Sequence, residues 1–414
     1  MQQRILGYKC TLCGSEFPYT EMLTCPKCGE KGILDILYDY RYISSTLTKE
    51  SLQKNQDKSM WRFSPLMPLK ERDFSAFLRV GGSPLYRSEH LRSELSLKAL
   101  YIKDDGINPT ASLKDRASGV AVAKALELGY DTIACSSTGN AASSCAGNAA
   151  RMGLKSVIFV PERAPEGKLA QLLIFGARVV SVKGDYRATF ELSRAAIDKY
   201  GWYNRNAGIN PVMVEGKKTV ALEIAEQLNW NVTDWVAVSV GDGCTIGGVY
   251  NGFYDLKELG FIDRIPKILG VQSTGCMPFV EAAKRGGNLE PAEENTIADS
   301  IAVGVPRNPV KALRAVKNSN GTWISVSDEQ ILDTMRVLGR TEGVFGEPAG
   351  VTATAGVREA VRTGIIKGSE TVTVISTGSG LKDVKNALRA AGRPTLCEPE
   401  LSALEHSGIL NGIL

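Results

Sequence analysis

The sequence predicts an α/β protein whose parallel sheets are open-faced rather than barrel-like, preceded by a small metal-binding ribbon. From about residue 98 onward, short β-like apolar runs alternate with helical patterns, the signature of strands joined by crossover helices. Ahead of that region, four cysteines stand in two Cys-x-x-Cys knuckles. At 414 residues the chain exceeds one typical domain, so two or three lobes are expected.

In chain order, the ribbon comes first. Cys10, Cys13, Cys25 and Cys28 offer four thiolates to a tetrahedral Zn²⁺, the closed arrangement of a structural site, and each second cysteine is followed by glycine. The other cysteines (135, 145, 244, 276 and 397) are scattered and read as small core residues. Nine cysteines in a chain of this size do not make a disulfide framework. Residues 33–42 read as a strand leaving the ribbon, and the polar stretch 47–58 as a surface helix or linker. Helices are expected over 117–128, 141–152 and 167–175. Strands are expected over 132–135, 156–160, 179–183, 236–240, 267–271 and 372–375. No repeat of fixed period is visible.

Composition narrows the functional classes. Hydrophobic residues make up 43% and charged residues 23%, as in an ordinary globular protein. A net charge of +4 is too even to argue for nucleic acid or an anionic membrane as partner. No apolar run approaches ~18 residues, and the N-terminus lacks a signal-peptide pattern, so a cytoplasmic location is expected. Only two histidines exist, His90 and His406, and neither lies near a motif. The usual histidine-based acid–base and metal chemistry is therefore out of contention, and more of any catalysis falls to lysine.

Four strand-to-turn sites carry the chemistry. Lys114 lies in Asn-Pro-Thr-Ala-Ser-Leu-Lys-Asp-Arg-Ala-Ser, residues 108–118, at the mouth of an expected helix. Lysine shifts its pKa readily on burial, which suits a Schiff-base amine. A lone Lys-Asp-Arg run is usually a solvated helix start; its company argues otherwise. Ser-Ser-Thr-Gly-Asn-Ala-Ala at 136–142, Gly-Asp-Gly-Cys-Thr-Ile-Gly-Gly at 241–248 and Thr-Gly-Ser-Gly-Leu-Lys-Asp at 377–383 each follow an expected strand. Backbone amides at such turns face anions readily. One lysine and three anion-ready turns point to a cofactor bearing a phosphate and a carbonyl.

With Glu-Gly-Lys-Lys-Thr at 215–219, Gly-Ser-Pro-Leu at 82–85 and Trp-Arg-Phe at 61–63, these motifs occur in the order seen in a known family. From about residue 1 to about 390 the chain resembles the fold type II pyridoxal-phosphate enzymes, and among them the threonine synthases. The resemblance implies two open twisted sheets with flanking helices, of the tryptophan synthase β kind. It also implies a ribbon at 1–32, a large cofactor-binding domain at 33–120 plus 207–414, and a small α/β domain at 121–206. Pyridoxal 5′-phosphate is the cofactor implied. Lys114 would carry it as an imine and then shuttle protons at substrate carbons. Asn140 fits a hydrogen bond to the pyridine 3′-oxygen. Gly241, Asp242, Gly243, Cys244 and Thr245 fit its phosphate, with the Asp242 carboxylate turned away. Thr377 would meet the pyridine nitrogen, and a hydroxyl there favours elimination and replacement over transamination. Ser137 and Thr138 fit the substrate carboxylate, and Glu347, in a turn recurrent in the family, fits a structural role. A homodimer is the expected assembly.

The chain departs from the family where the substrate's phosphate is gripped. Met213 and Ala302 stand where arginines are usual, and Ala111 and Leu113 where glycine and phenylalanine are usual. Lys217, Arg307 or Lys218 could replace the lost guanidinium, or the leaving group is not phosphate. The primary expectation is a threonine synthase, a carbon–oxygen lyase converting O-phospho-L-homoserine and water to L-threonine and phosphate. The alternative is β-elimination or β-replacement on serine, threonine or an activated serine. A non-enzymatic ribbon module on an idle scaffold would leave Lys114 unused.

Overall fold

Gly14 and Gly29, which follow the second cysteine of each knuckle, take φ angles of 70° and 61°, a left-handed turn that glycine enters without steric cost. In this computed structural model, which describes residues 4–162, 166–184 and 186–410, the four cysteine sulfurs lie within 4.8 Å of one another. The Leu12 amide donates to Cys10 Sγ at 3.4 Å, as expected of a knuckle that stabilises thiolates. A side chain at Gly32 would have its Cβ 2.5 Å from Cys25 Cβ, so only glycine lets the strand close over the cluster.

The ribbon is a four-stranded antiparallel sheet ordered Glu16–Phe17, Ile5–Cys10, Gly29–Tyr38, Thr24–Cys25. The strand expected at 33–42 ends at Tyr38 because the Asp39 carboxylate caps the helix Tyr40–Ser44, accepting from the Arg41 and Tyr42 amides. The stretch 47–58 holds one short helix, Lys49–Lys54. Polar contacts dock the long ribbon strand on the body. Tyr38 donates to Glu215 Oε2 at 2.7 Å, and Lys311 reaches the Leu34 carbonyl at 2.7 Å and Asp35 at 3.0 Å.

Two parallel sheets form the body. The smaller runs Tyr203–Asn204, Thr132–Ser136, Lys155–Pro161, Arg178–Val182. The larger runs Thr322–Val326, Lys267–Ser273, Trp235–Ser239, Thr371–Ser376, Ala99–Asp104, Leu85–Ser88. The last of these is antiparallel, a correction to the all-parallel expectation. Its four residues leave two side chains exposed, so no apolar run betrays it. Central strands such as Trp235–Ser239 are buried throughout, which is why their apolar runs are continuous. No helix among the described residues is long and apolar enough to cross a membrane.

The helix expected from residue 117 begins at Lys114. After Lys114 its first turn is polar yet buried, because Asp115 and Arg116 both meet partners. Asp115 accepts from the Thr110 amide (2.7 Å), the Thr110 hydroxyl (2.8 Å) and Asn148 (2.9 Å). Arg116 is fully buried between Asp105 (2.6 Å) and Glu223 (2.7 Å), and Lys103 also reaches Glu223 at 2.7 Å. Burial by itself would raise the Glu223 carboxyl, but Arg116 and Lys103 hold it well below the usual carboxylate range.

Glu223→Ala takes the only carboxylate from Lys103 among the described residues and one of two from Arg116, and is expected to cost about 3–5 kcal/mol. Breaking the surface Arg362–Glu359 pair with Arg362→Ala should cost far less, since solvent screens an exposed guanidinium. Urea denaturation followed by circular dichroism checks both; equal losses would contradict the assignment of Glu223 as the anchor of this network.

Candidate active site

A cavity of about 790 Å³ opens at the carboxyl ends of both parallel sheets. Loops leaving four parallel strands reach it: Ser137–Gly139, Arg205–Gly208, Val240–Gly243 and Thr377. Open α/β sheets present their ligand crevice at this edge.

Lys114 lines the cavity from the first turn of its helix. The turn before it is held by an antiparallel contact with the loop after Thr371–Ser376. The Leu113 amide donates to the Thr377 carbonyl at 2.9 Å, Ser379 N donates to the Ala111 carbonyl at 3.1 Å, and Ser112 pairs with Gly378. The lysine and Thr377 are thus placed by one ladder. Ala111 has φ = 64°, a left-handed conformation that costs an alanine roughly 1–2 kcal/mol and that glycine would adopt freely. The departure noted at 111 therefore falls on a strained backbone position.

Burial pushes the Lys114 amine down to about 8 from its ordinary 10.5, and the charges of Lys217 and Arg205 push the same way. Lys217 arrives beside it through the helix Val212–Lys217. That helix lies directly on the Lys114 helix, since a Cβ at Gly216 would stand 2.8 Å from Ala117 Cα. The rest of Glu-Gly-Lys-Lys-Thr is framework. Glu215 takes Lys218 at 2.5 Å, Lys218 also pairs with Asp255 at 2.6 Å, and Thr219 donates to the Gly216 carbonyl at 2.7 Å. Lys218, one of the three residues considered for the substrate's phosphate, is thereby committed elsewhere and does not line the cavity. Met213 does not line it either; it is fully buried in the core. Ala302 does line it, and brings no charge.

The remaining sequence candidates come together. Asn140, first residue of the helix Asn140–Arg151, lines the cavity and donates through Nδ2 to Glu347 Oε1 at 2.6 Å. Glu347 is thus more than a turn residue: it orients the asparagine amide. Ser137 and Thr138 line the same wall, and Ser137 Oγ accepts the Gly139 amide at 3.2 Å. Opposite, Gly241, Asp242, Gly243, Cys244 and Thr245 wrap the start of the helix Cys244–Glu258. Gly243 has φ = 86°, and a Cβ there would meet the Asn308 carbonyl at 2.7 Å. A Cβ on Gly241 would stand 2.9 Å from Ile301 Cα. The Asp242 carboxylate accepts from the Arg307 amide at 3.1 Å. The Cys244 thiol donates to the Ala207 carbonyl at 3.3 Å. Arg307 lines the cavity with its guanidinium stacked 3.8 Å over the Phe190 ring.

This set suits pyridoxal phosphate. A glycine-rich cradle lies at a helix N-terminus, a depressed lysine stands free of any carboxylate bridge among the described residues, and an amide and a hydroxyl line the same cavity. Arg205 was not foreseen. It closes the two-residue strand Tyr203–Asn204, too short to leave a pattern, and is 1% exposed. Its Nε and Nη2 donate to Ser118 Oγ at 3.1 and 3.0 Å.

Residues 76–378 match the model of the family described as pyridoxal-phosphate dependent enzyme. The threonine synthase of Methanocaldococcus jannaschii is 39% identical over 400 residues, 96% of this chain and 98% of that protein. The threonine synthase of Methanosarcina acetivorans is 39% identical over 403 residues, with the same coverage of 96% and 98%. Among solved structures, threonine deaminase isoform 2 of Solanum lycopersicum superposes with a TM-score of 0.65 at 22% identity, covering 75% of this chain and 88% of that one. Diaminopropionate ammonia lyase of Escherichia coli gives 0.66 at 18% identity, covering 82% and 93%. At these identities the structures share the fold.

A lysine lowered to about 8 carries a neutral, nucleophilic amine above that pH. Reloading of apoenzyme with pyridoxal phosphate, followed by absorbance, should accelerate as pH rises through about 8 rather than about 10.5. Lys217→Gln removes one neighbouring positive charge and should move the midpoint upward. A midpoint near that of free lysine, unmoved by Lys217→Gln, would contradict the geometry.

Proposed function

The chain belongs to the pyridoxal-phosphate-dependent enzymes and, within them, to the threonine synthases; on that premise we propose that it converts O-phospho-L-homoserine and water to L-threonine and phosphate. The observation that carries the reading is Lys114, half-buried at the crevice with Arg205 and Lys217 beside it and no carboxylate bridging them among the described residues. The cofactor, when bound, supplies an electron sink for a carbanion formed next to the substrate's amino group.

The chain's own groups then divide the work. Lys114 would hold the cofactor and exchange protons at the substrate's α and β carbons, a task suited to a lysine that titrates near neutrality. Gly241 to Thr245 would bind the cofactor phosphate through amides at the helix mouth. Asn140, steadied by Glu347, would donate to the ring oxygen, and the Thr377 hydroxyl would face the ring nitrogen. Ser137 and Thr138 would take the substrate carboxylate, with Lys217 and Arg307 on the side of its phosphate. The four clustered cysteines (10, 13, 25 and 28) suit a structural Zn²⁺, supported by their donor set and the glycine-closed cradle. The proposed division is a ribbon at 1–32, a cofactor domain at 33–120 plus 207–414 and a small domain at 121–206, in a cytoplasmic homodimer.

A second reading is favoured by one observation: neither Met213 nor Ala302 offers the cavity a guanidinium. An enzyme acting on serine, threonine or an activated serine by β-elimination or β-replacement needs none there. Purified holoenzyme offered O-phospho-L-homoserine, O-phospho-L-serine, L-serine and L-threonine should release phosphate from the first and form threonine. Ammonia from serine or threonine, or phosphate from phosphoserine alone, would overturn the primary reading in favour of the second.

Metal analysis should find about one zinc per chain in tetrahedral thiolate ligation. Cys25→Ser should lower the melting temperature more than it lowers cofactor content. A metal-free protein of unchanged melting temperature would refute the zinc assignment.

A further inference from the structure

Elsewhere among the described residues, buried cations are matched. Arg116 and Lys103 share Glu223, and Lys218 lies between Glu215 and Asp255. Arg205 and Lys217 break the pattern. They are 1% and 2% exposed, both line the cavity that contains Lys114, and neither pairs with a carboxylate among the described residues. Arg205 is fixed rather than loose: Ser118 Oγ takes its Nε and Nη2, and Ser118 is itself hydrogen-bonded to Ser144 Oγ at 2.7 Å. That leaves Nη1 without a hydrogen-bond partner among the described residues. Lys217 is fixed by the close approach of Gly216 to the Lys114 helix.

Two buried like charges beside a third are unfavourable unless an anion completes the set. The cofactor's phosphate has its own cradle at Gly241–Thr245, so the pair calls for a second anion. The family's arginine position, Met213, is packed into the core, which leaves the task to other residues. We propose that Arg205 and Lys217 form a two-pronged clamp for the phosphate of an O-phosphorylated amino-acid substrate. This rests on the reading of the site as one that expels phosphate. Arg205 offers a planar, pre-oriented donor edge and Lys217 a point charge, the combination that recognises a dianion rather than a carboxylate.

The test uses holoenzyme, inorganic phosphate as probe, and three readouts: phosphate affinity by calorimetry, KM for the phosphorylated substrate, and cofactor content by absorbance. Arg205→Gln and Lys217→Gln should each weaken phosphate binding and raise KM by about tenfold or more, the loss of one charged hydrogen-bond partner. Cofactor content at saturating pyridoxal phosphate should hold. Arg205→Lys, which keeps the charge and disturbs packing less, should recover part of the affinity. Unchanged phosphate affinity in both glutamine variants, or loss of cofactor in place of phosphate, would overturn the clamp. Wild-type enzyme that binds phosphate through this pair yet leaves phosphohomoserine intact would support the clamp and refute the threonine synthase reaction.

Discussion

The guanidinium of Arg116 is the interaction on which the site depends. It sits two residues after Lys114, fully buried, and joins the end of strand Ala99–Asp104 through Asp105 to the helix Thr219–Gln227 through Glu223. The intervening Asp115 reaches the other way, to Asn148 on the helix Asn140–Arg151, which follows the first strand of the small sheet. Neighbouring side chains of one helical turn therefore grip both halves of the body and leave Lys114 facing the gap between them. A charge so deeply buried is tolerable only with every donor placed, and that requirement fixes the turn.

Much of this was legible in the chain, for physical reasons that differ from residue to residue. Trp235–Ser239 and Thr371–Ser376 sit in the middle of a sheet, so burial on both faces wrote β-branched and apolar runs, interrupted in the second only by Thr373. Gly241 and Gly243 stood out because close backbone approaches admit no Cβ. Leu85–Ser88 and Tyr203–Asn204 escaped because edge position and short length demand no pattern. Arg205 escaped with the latter. Lys218 misled for a different reason: sequence cannot say which of two adjacent lysines faces the cavity, and helix geometry turned Lys217 in and Lys218 toward Asp255.

The electrostatics of the crevice follow from the same geometry. Three basic side chains, Lys114, Arg205 and Lys217, converge on the crevice, and two of the carboxylates beside them are hydrogen-bonded to other groups: Glu347 to Asn140 and Asp242 to the Arg307 amide. Burial and the neighbouring positive charges lower both Lys114 and Lys217. On the proposed reading, the property that would ready Lys114 as a base is also the one that would favour a negatively charged partner.

Gly216 carries a consequence for how such an enzyme diversifies. Its contact with the Lys114 helix leaves no room for any other residue, so the spacing between the two backbones is invariant. Residue 217 then projects from a rigid mount, and a substitution there changes what the crevice attracts while the scaffold is unchanged. A lineage could retune its choice of substrate by single exchanges at 217, or at the similarly braced 205, without first acquiring stabilising mutations elsewhere.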